Sequence, residues 1–142
     1  MTSINEVYAI VKNILTNHNY ECSGIKHYQS IIRNNEFKIT TYKYIDIDFS
    51  MNTLNIFGYI RGYNAEENTT IFNDNKPEVS CAKIIDPASY RCGDRELLYK
   101  FDDLEGTLID YINQLETDAF EASGNRFPEL FSNTSCEPVF LK

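Results

Sequence analysis

Between Glu36 and Tyr63 the chain alternates, and that alternation constrains the fold more than any other feature. In EFKITTYKYIDIDFS, Phe37, Ile39, Ile45, Ile47 and Phe49 take odd positions, while Lys38, Thr40, Asp46 and Asp48 take even ones. Successive side chains of a strand point to opposite faces, so a period of two marks a half-buried strand. The next stretch, TLNIFGYIRGY, puts Leu54, Ile56 and Ile60 on one face and Asn55 and Arg61 on the other. Ser50 to Asn52 is short and polar, as a hairpin loop requires. The pattern predicts an antiparallel hairpin.

The second face of this hairpin is not purely polar. Tyr42 and Tyr44 on the first arm, and Phe57, Tyr59 and Tyr63 on the second, give it an aromatic side. A loop or the tail of the chain can cover such a surface. It can equally meet a partner, since tyrosine is favoured at interfaces.

Around the hairpin the order of elements is legible. Ser3-Ile4-Asn5-Glu6 is a capping box, and Ile4, Val7, Tyr8, Val11, Ile14 and Leu15 then recur at helical spacing until Asn17-His18-Asn19. Ile25–Arg33 reads as a strand, or alternatively a short helix, and Asn34-Asn35 as a tight turn tolerant of positive φ. Asn64–Glu78 reads as a polar loop with an extended piece at Thr70–Phe72. Val79–Ile85 reads as a strand stopped by Asp86-Pro87, Ala88–Arg95 as a loop, and Glu96–Phe101 as a short last strand. Asp102 caps a second helix with Glu105 three residues on, and Gly106 weakens its first turn. Leu104, Leu108, Tyr111, Ile112 and Leu115 trace that helix's apolar stripe to about Ala122. The tail, 123–142, carries Phe127, Leu130, Phe131, Val139, Phe140 and Leu141, enough to strap it onto the body or to form an edge strand at Pro138–Leu141. The expectation is one α+β domain over residues 1–142. Its antiparallel sheet has about four to five strands, with an amphipathic helix at each end of the chain.

Composition narrows the functional classes. With 42% apolar and 13% aromatic residues, 142 residues build a real core and are not disordered. No run approaches the roughly eighteen apolar residues of a membrane span. The start, MTSINEVYAIVKNIL, has neither a basic leader segment nor a small-residue cleavage site, so a cytoplasmic location is expected. Cys22, Cys81, Cys92 and Cys136 are widely spaced and the histidines are His18 and His27. Zinc draws its ligands in close pairs, so no structural zinc, and no cofactor, is expected; free thiols are. Asn68-Thr69-Thr70 and Asn133-Thr134-Ser135 match the glycosylation sequon, as an Asn-rich cytosolic chain does by chance.

The net charge is −8, and it is unevenly spread. Residues 1–101 carry 11 Lys/Arg against 12 Asp/Glu, and residues 102–142 carry 2 against 9. Nearly all the acidity therefore sits in the last part of the chain. Such a field repels nucleic acid and anionic membrane and attracts basic protein.

The chemistry-bearing residues each have a plain reading beside the functional one. Asp46 and Asp48 form a D-x-D with both carboxylates on one strand face, which suits a divalent cation, a partner's Lys or Arg, or water. Cys92 lies between Arg91 and Arg95, which lowers a thiol pKa, and a nucleophile paired with His18 or His27 is conceivable. No surrounding signature of a cysteine enzyme supports it, and a structural cysteine is the simpler reading. The two histidines would suit acid–base cleavage of RNA, but a helix C-terminus already accounts for His18. No phosphate-binding glycine loop, G-x-S-x-G or H-E-x-x-H occurs, so no enzyme is expected.

Small size, acidity and the helix–sheet layout resemble bacterial immunity proteins, including those of contact-dependent inhibition systems. The resemblance implies occlusion of a toxin's active site, here the basic groove of a nuclease-type toxin domain. Asp110, Glu116, Asp118 and Glu121 would meet it, helped by Asp46, Asp48 and the tyrosines Tyr42, Tyr44 and Tyr59. Secretion chaperones and phage inhibitors of host defence share the same general type, and a small enzyme using Cys92 or the Asp46/Asp48 pair is the remaining alternative.

Overall fold

The predicted hairpin exists and organises the rest. In a computed structural model, β1 (Thr2–Ser3), α1 (Ile4–Asn17), β2 (Glu21–Cys22), β3 (His27–Asn34), β4 (Ile39–Ser50), β5 (Thr53–Asn64), β6 (Thr69–Thr70), β7 (Val79–Ile85), β8 (Ser89–Cys92), β9 (Leu97–Lys100), α2 (Leu104–Ala122) and β10 (Cys136–Val139) follow in order. The residues described are 1–64, 69–70, 72, 78–93, 96–125 and 136–139. The fold is α+β. Its main antiparallel sheet runs β10-β3-β4-β5-β6, with β2 also on β3 and β7 also on β5.

β4 and β5 pair without interruption from Ile39↔Asn64 to Ser50↔Thr53. Met51 and Asn52 close the hairpin with φ of 53° and 61°. Two consecutive left-handed residues make the primed turn whose twist matches its strands. The inward face carries Ile39, Ile45, Ile47, Leu54, Ile56 and Ile60, all buried. Both helices lie over this face and complete one core: Val11 and Leu15 of α1, and Leu108, Ile112 and Leu115 of α2, are at most 2% exposed. The helix stripes read from the sequence are the buried ones, save that Ile4 is only partly buried, and Ala119 extends that of α2. Ser3 caps α1 as the capping box requires, accepting from the Glu6 amide at 3.3 Å. No helix among the described residues is long and apolar enough to cross a membrane.

Several details differ from the sequence reading. Ser89–Cys92, expected within a loop, is β8, paired antiparallel with β9. All four of its residues are exposed, so no alternation could betray it; pairing alone makes it a strand. β9 does not join the main sheet but forms a three-stranded one in the order β1-β9-β8. This small sheet packs on the hairpin tip, where Tyr99 meets Phe49 at 4.5 Å between ring centroids and donates to Asn52 Oδ1 at 3.0 Å. α2 is capped by Asp103, not Asp102: Asp103 adopts φ 48°, a region open to Asp, and accepts from the Gly106 amide at 3.1 Å. A Cβ at Gly106 would collide with that carboxylate, so the glycine that weakens the first turn also admits its cap. At the β3–β4 turn the left-handed residue is Lys38 (φ 56°); Asn34 contributes its side-chain oxygen, which accepts from the Phe37 amide at 3.0 Å.

In the tail, β10 pairs Cys136↔Asn34 through Val139↔Ile31, so it begins before the expected Pro138. Phe127, Leu130, Phe131, Phe140, Leu141, Asn68, Ile71, Arg95 and the sequon at Asn133 lie outside the described residues.

Candidate functional site

The outward face of the main sheet is built from cross-strand rows that the register sets. One row is Gln29, Tyr44, Tyr59 and Ser80, the next His27, Asp46, Phe57 and Ala82, and Tyr42 pairs with Arg61. No helix covers this face among the described residues, because both helices are committed to the other side. It therefore keeps a contiguous aromatic surface. Tyr44 and Tyr59 lie 4.9 Å apart between ring centroids, Phe57 and Tyr59 6.0 Å, and the parallel rings of Tyr42 and Tyr44 6.4 Å. All are distances of direct ring contact.

Tyr42, Tyr44, Tyr59, Arg61 and Tyr63 enclose a depression of about 450 Å³. The tyrosines are half-buried by one another, whereas Arg61 is exposed. Partial burial, then the neighbouring Tyr42 hydroxyl, raises the pKa of Tyr44; burial followed by Tyr44 raises that of Tyr59. The Arg61 guanidinium acts the other way on both but does not prevail. These phenols are neutral, amphipathic contact groups, with Arg61 as a fixed donor fork beside them.

Next to the tyrosines, Phe57, Ala82 and Ile84 with Asp46 and Asp48 line a second cleft of about 580 Å³. The D-x-D carboxylates do point to one face as expected, but each already holds a basic group. His27 Nδ1 lies 2.7 Å from Asp46 Oδ1, and Lys26 Nζ lies 3.0 Å from Asp48 Oδ1. Both pairs are exposed, so they shape the surface more than they stabilise the fold. Among the described residues no three His, Cys, Asp or Glu side chains converge as a metal site would demand.

The acidic residues of α2 stand elsewhere. α2 lies on the inward side of the sheet, so Asp110, Glu116, Asp118 and Glu121 are across the sheet from Tyr42, Tyr44, Tyr59, Asp46 and Asp48. Glu116 reaches the inward-facing Lys43 at 3.0 Å. Asp118 accepts from Gln114 at 2.8 Å, and Asp110 and Glu121 are exposed. No Lys or Arg occurs between Asp102 and Asn125. Asp118 and Glu121 thus oppose the helix dipole in its C-terminal turns, and the last turn of the helix carries no basic residue.

Cys92 is exposed at the end of β8, and its Sγ approaches Gly93 O at 3.7 Å. No histidine hydrogen-bonds it among the described residues, and His18 serves as the C-cap of α1. Sequence parity put the tyrosines and Arg61 on one face, but it could not show the depression that they enclose together. Nor could it show that Ile84 of β7 joins Phe57. Those neighbours come from strand pairing, for which only the isolated strand patterns gave a signal. No family model, no curated protein and no solved structure matches this chain.

Proposed function

We propose that this chain is a protein-binding inhibitor of the immunity-protein kind, which occludes the active site of a basic partner, a nuclease-type toxin domain. The observation that carries the reading is the outward face, covered by no helix among the described residues, on which Tyr42, Tyr44, Tyr59, Tyr63 and Arg61 surround one depression. Tyrosine and arginine are enriched among the residues that dominate binding energy at protein interfaces: the tyrosine ring buries a large area with little loss of side-chain freedom, and the guanidinium offers a planar fork of donors. The net charge of −8 sets the sign of the partner. The exposed carboxylates of α2 act at longer range, raising the encounter rate with a cationic protein, while the tyrosine face makes the contact.

The test is capture of a basic protein from the source cell, followed by assay of that protein's own activity. Stoichiometric chain should abolish the activity, and Tyr44→Ala/Tyr59→Ala should restore it. A captured protein whose activity is untouched by saturating chain would sink the inhibitor reading.

A further inference from the structure

The edge of β7 away from β5 pairs with no strand among the described residues. An unpaired edge is a template for another strand, and natural sheets commonly blunt theirs with proline, bulges, very short strands or charged side chains, lysine above all. β7 has no proline or bulge, its seven residues running in unbroken register from Val79↔Ile60 to Ile85↔Leu54; its one charged residue, Lys83, alternates to the inward side and leaves the outward strip uncharged. Its outward residues are Ser80, Ala82 and Ile84, paired with Tyr59, Phe57 and Asn55. Ile84 is 65% exposed and Phe57 43%, an apolar strip directly beside the open edge. The chain immediately before and after β7 carries Glu78 and Asp86, one carboxylate at each end of that strip.

We infer that β7 receives an extended strand of the partner, which lengthens the sheet by one. That strand presents Lys or Arg opposite Glu78 and Asp86 and apolar side chains opposite Ala82 and Ile84. The inference rests on the binding function proposed above and specifies how the partner engages it. Main-chain hydrogen bonds supply affinity in strand addition, and alternate side chains supply selectivity.

The charges choose the occupant. A second copy pairing antiparallel about a twofold axis at Ala82 would set Glu78 of each copy against Asp86 of the other. Shifted to Lys83, it would set Lys83 against Lys83. Like charges directly opposite destabilise a strand pair, and two chains of −8 repel besides. A basic strand turns the same carboxylates into attractions, and the long stems of Lys and Arg cover Ile84 and Phe57. It also brings the partner onto the tyrosine face, because Ser80, Tyr59 and Tyr44 share a row.

The probe is a synthetic nine-residue peptide of alternating threonine and valine with a lysine at each end, titrated into the isotope-labelled full chain at low salt. A glutamate-ended peptide is the control. The lysine peptide should shift the backbone resonances of Ser80–Ile84 and slow their amide exchange, and the glutamate peptide should bind at least about tenfold more weakly. Glu78→Lys/Asp86→Lys, outside the paired residues, should invert that preference while circular dichroism stays unchanged. No binding, equal binding of both peptides, shifts centred on β3 and β10, or self-association of the chain through β7 would each overturn the inference. The same variant separates this inference from the function it rests on. If a captured basic protein binds Glu78→Lys/Asp86→Lys as it binds the original chain, strand addition falls and the inhibitor stands. If no basic partner is inhibited, the inhibitor falls and the peptide result is judged on its own.

Discussion

Lys43 Nζ and Glu116 Oε1 lie 3.0 Å apart, joining the inward face of β4 to α2 across 73 residues of sequence. The Lys43 side chain is only 11% exposed and that of Glu116 38%, so the pair is semi-buried and Glu116 is spent within the fold. Glu116→Ala should cost about 1–3 kcal/mol, because it removes the carboxylate facing a largely buried ammonium. Lys43→Met/Glu116→Leu together should come out near neutral. Urea denaturation of the single and double variants checks both. A stability change without a change in partner binding is expected for Glu116→Ala.

The remaining acids and the tyrosines should separate kinetically. Asp110→Lys/Asp118→Lys lowers the association rate and flattens its salt dependence, since exposed charges act at long range and are screened. Tyr44→Ala/Tyr59→Ala instead raises the dissociation rate by about tenfold or more, as loss of central contacts does. Surface-bound kinetics at two salt concentrations read both. Equal effects of the two variants on association rate would contradict this division of roles.

Gly58 is where α2 comes closest to the sheet. A Cβ there would stand 2.6 Å from Tyr111 Oη and 3.1 Å from Leu115 Cδ2. Tyr111 cannot simply retreat, because its hydroxyl donates to Cys81 O at 2.5 Å. Gly58→Ala should therefore destabilise by about 1–3 kcal/mol, and by less in a Tyr111→Phe background, where the clashing oxygen is gone. Thermal melts of the four chains measure the coupling.

Met51 is 94% exposed with φ 53°, a conformation that costs most side chains energy but suits asparagine. Met51→Asn should raise stability by about 0.5–1 kcal/mol. Asn52→Gly should not match it, since it deletes the Oδ1 that accepts from Tyr99. Denaturant midpoints of the two variants decide the point.

Burial raises the phenol pKa of Tyr20, Tyr28 and Tyr111 well above the ordinary value. With the folded pKa raised, these groups contribute no pH dependence below about 10, and stability falls as pH climbs above it, because only the unfolded chain releases the proton. The three phenols should ionise together with unfolding in an ultraviolet titration. Among the described residues Tyr20 Oη has no hydrogen-bond partner, so Tyr20→Phe should be near neutral at pH 7 and more resistant to alkali than the original chain. A Tyr20 that titrates normally in the folded chain would refute this.

What could be read from the residues alone was whatever repeats within a few positions. Alternation over Ile39–Ile60 specified the hairpin and which face is apolar. The Ser3–Glu6 box and the Val7–Leu15 and Leu104–Leu115 stripes specified both helices, because a local period is the direct imprint of burial on one side. Grouping Tyr42, Tyr44 and Tyr59 with Asp46 and Asp48 followed from the same parity. Decisions between distant segments left no such imprint. The exposed Ser89–Cys92 became a strand only by meeting Leu97–Lys100. The acids of α2 came to lie across the sheet from the tyrosines, and Glu116 met Lys43, only when the helix chose its face. Side-chain identity and spacing determine what each segment can bury. Which segments then share a surface depends on contacts that no single stretch of chain contains, and the three-dimensional packing alone decides it.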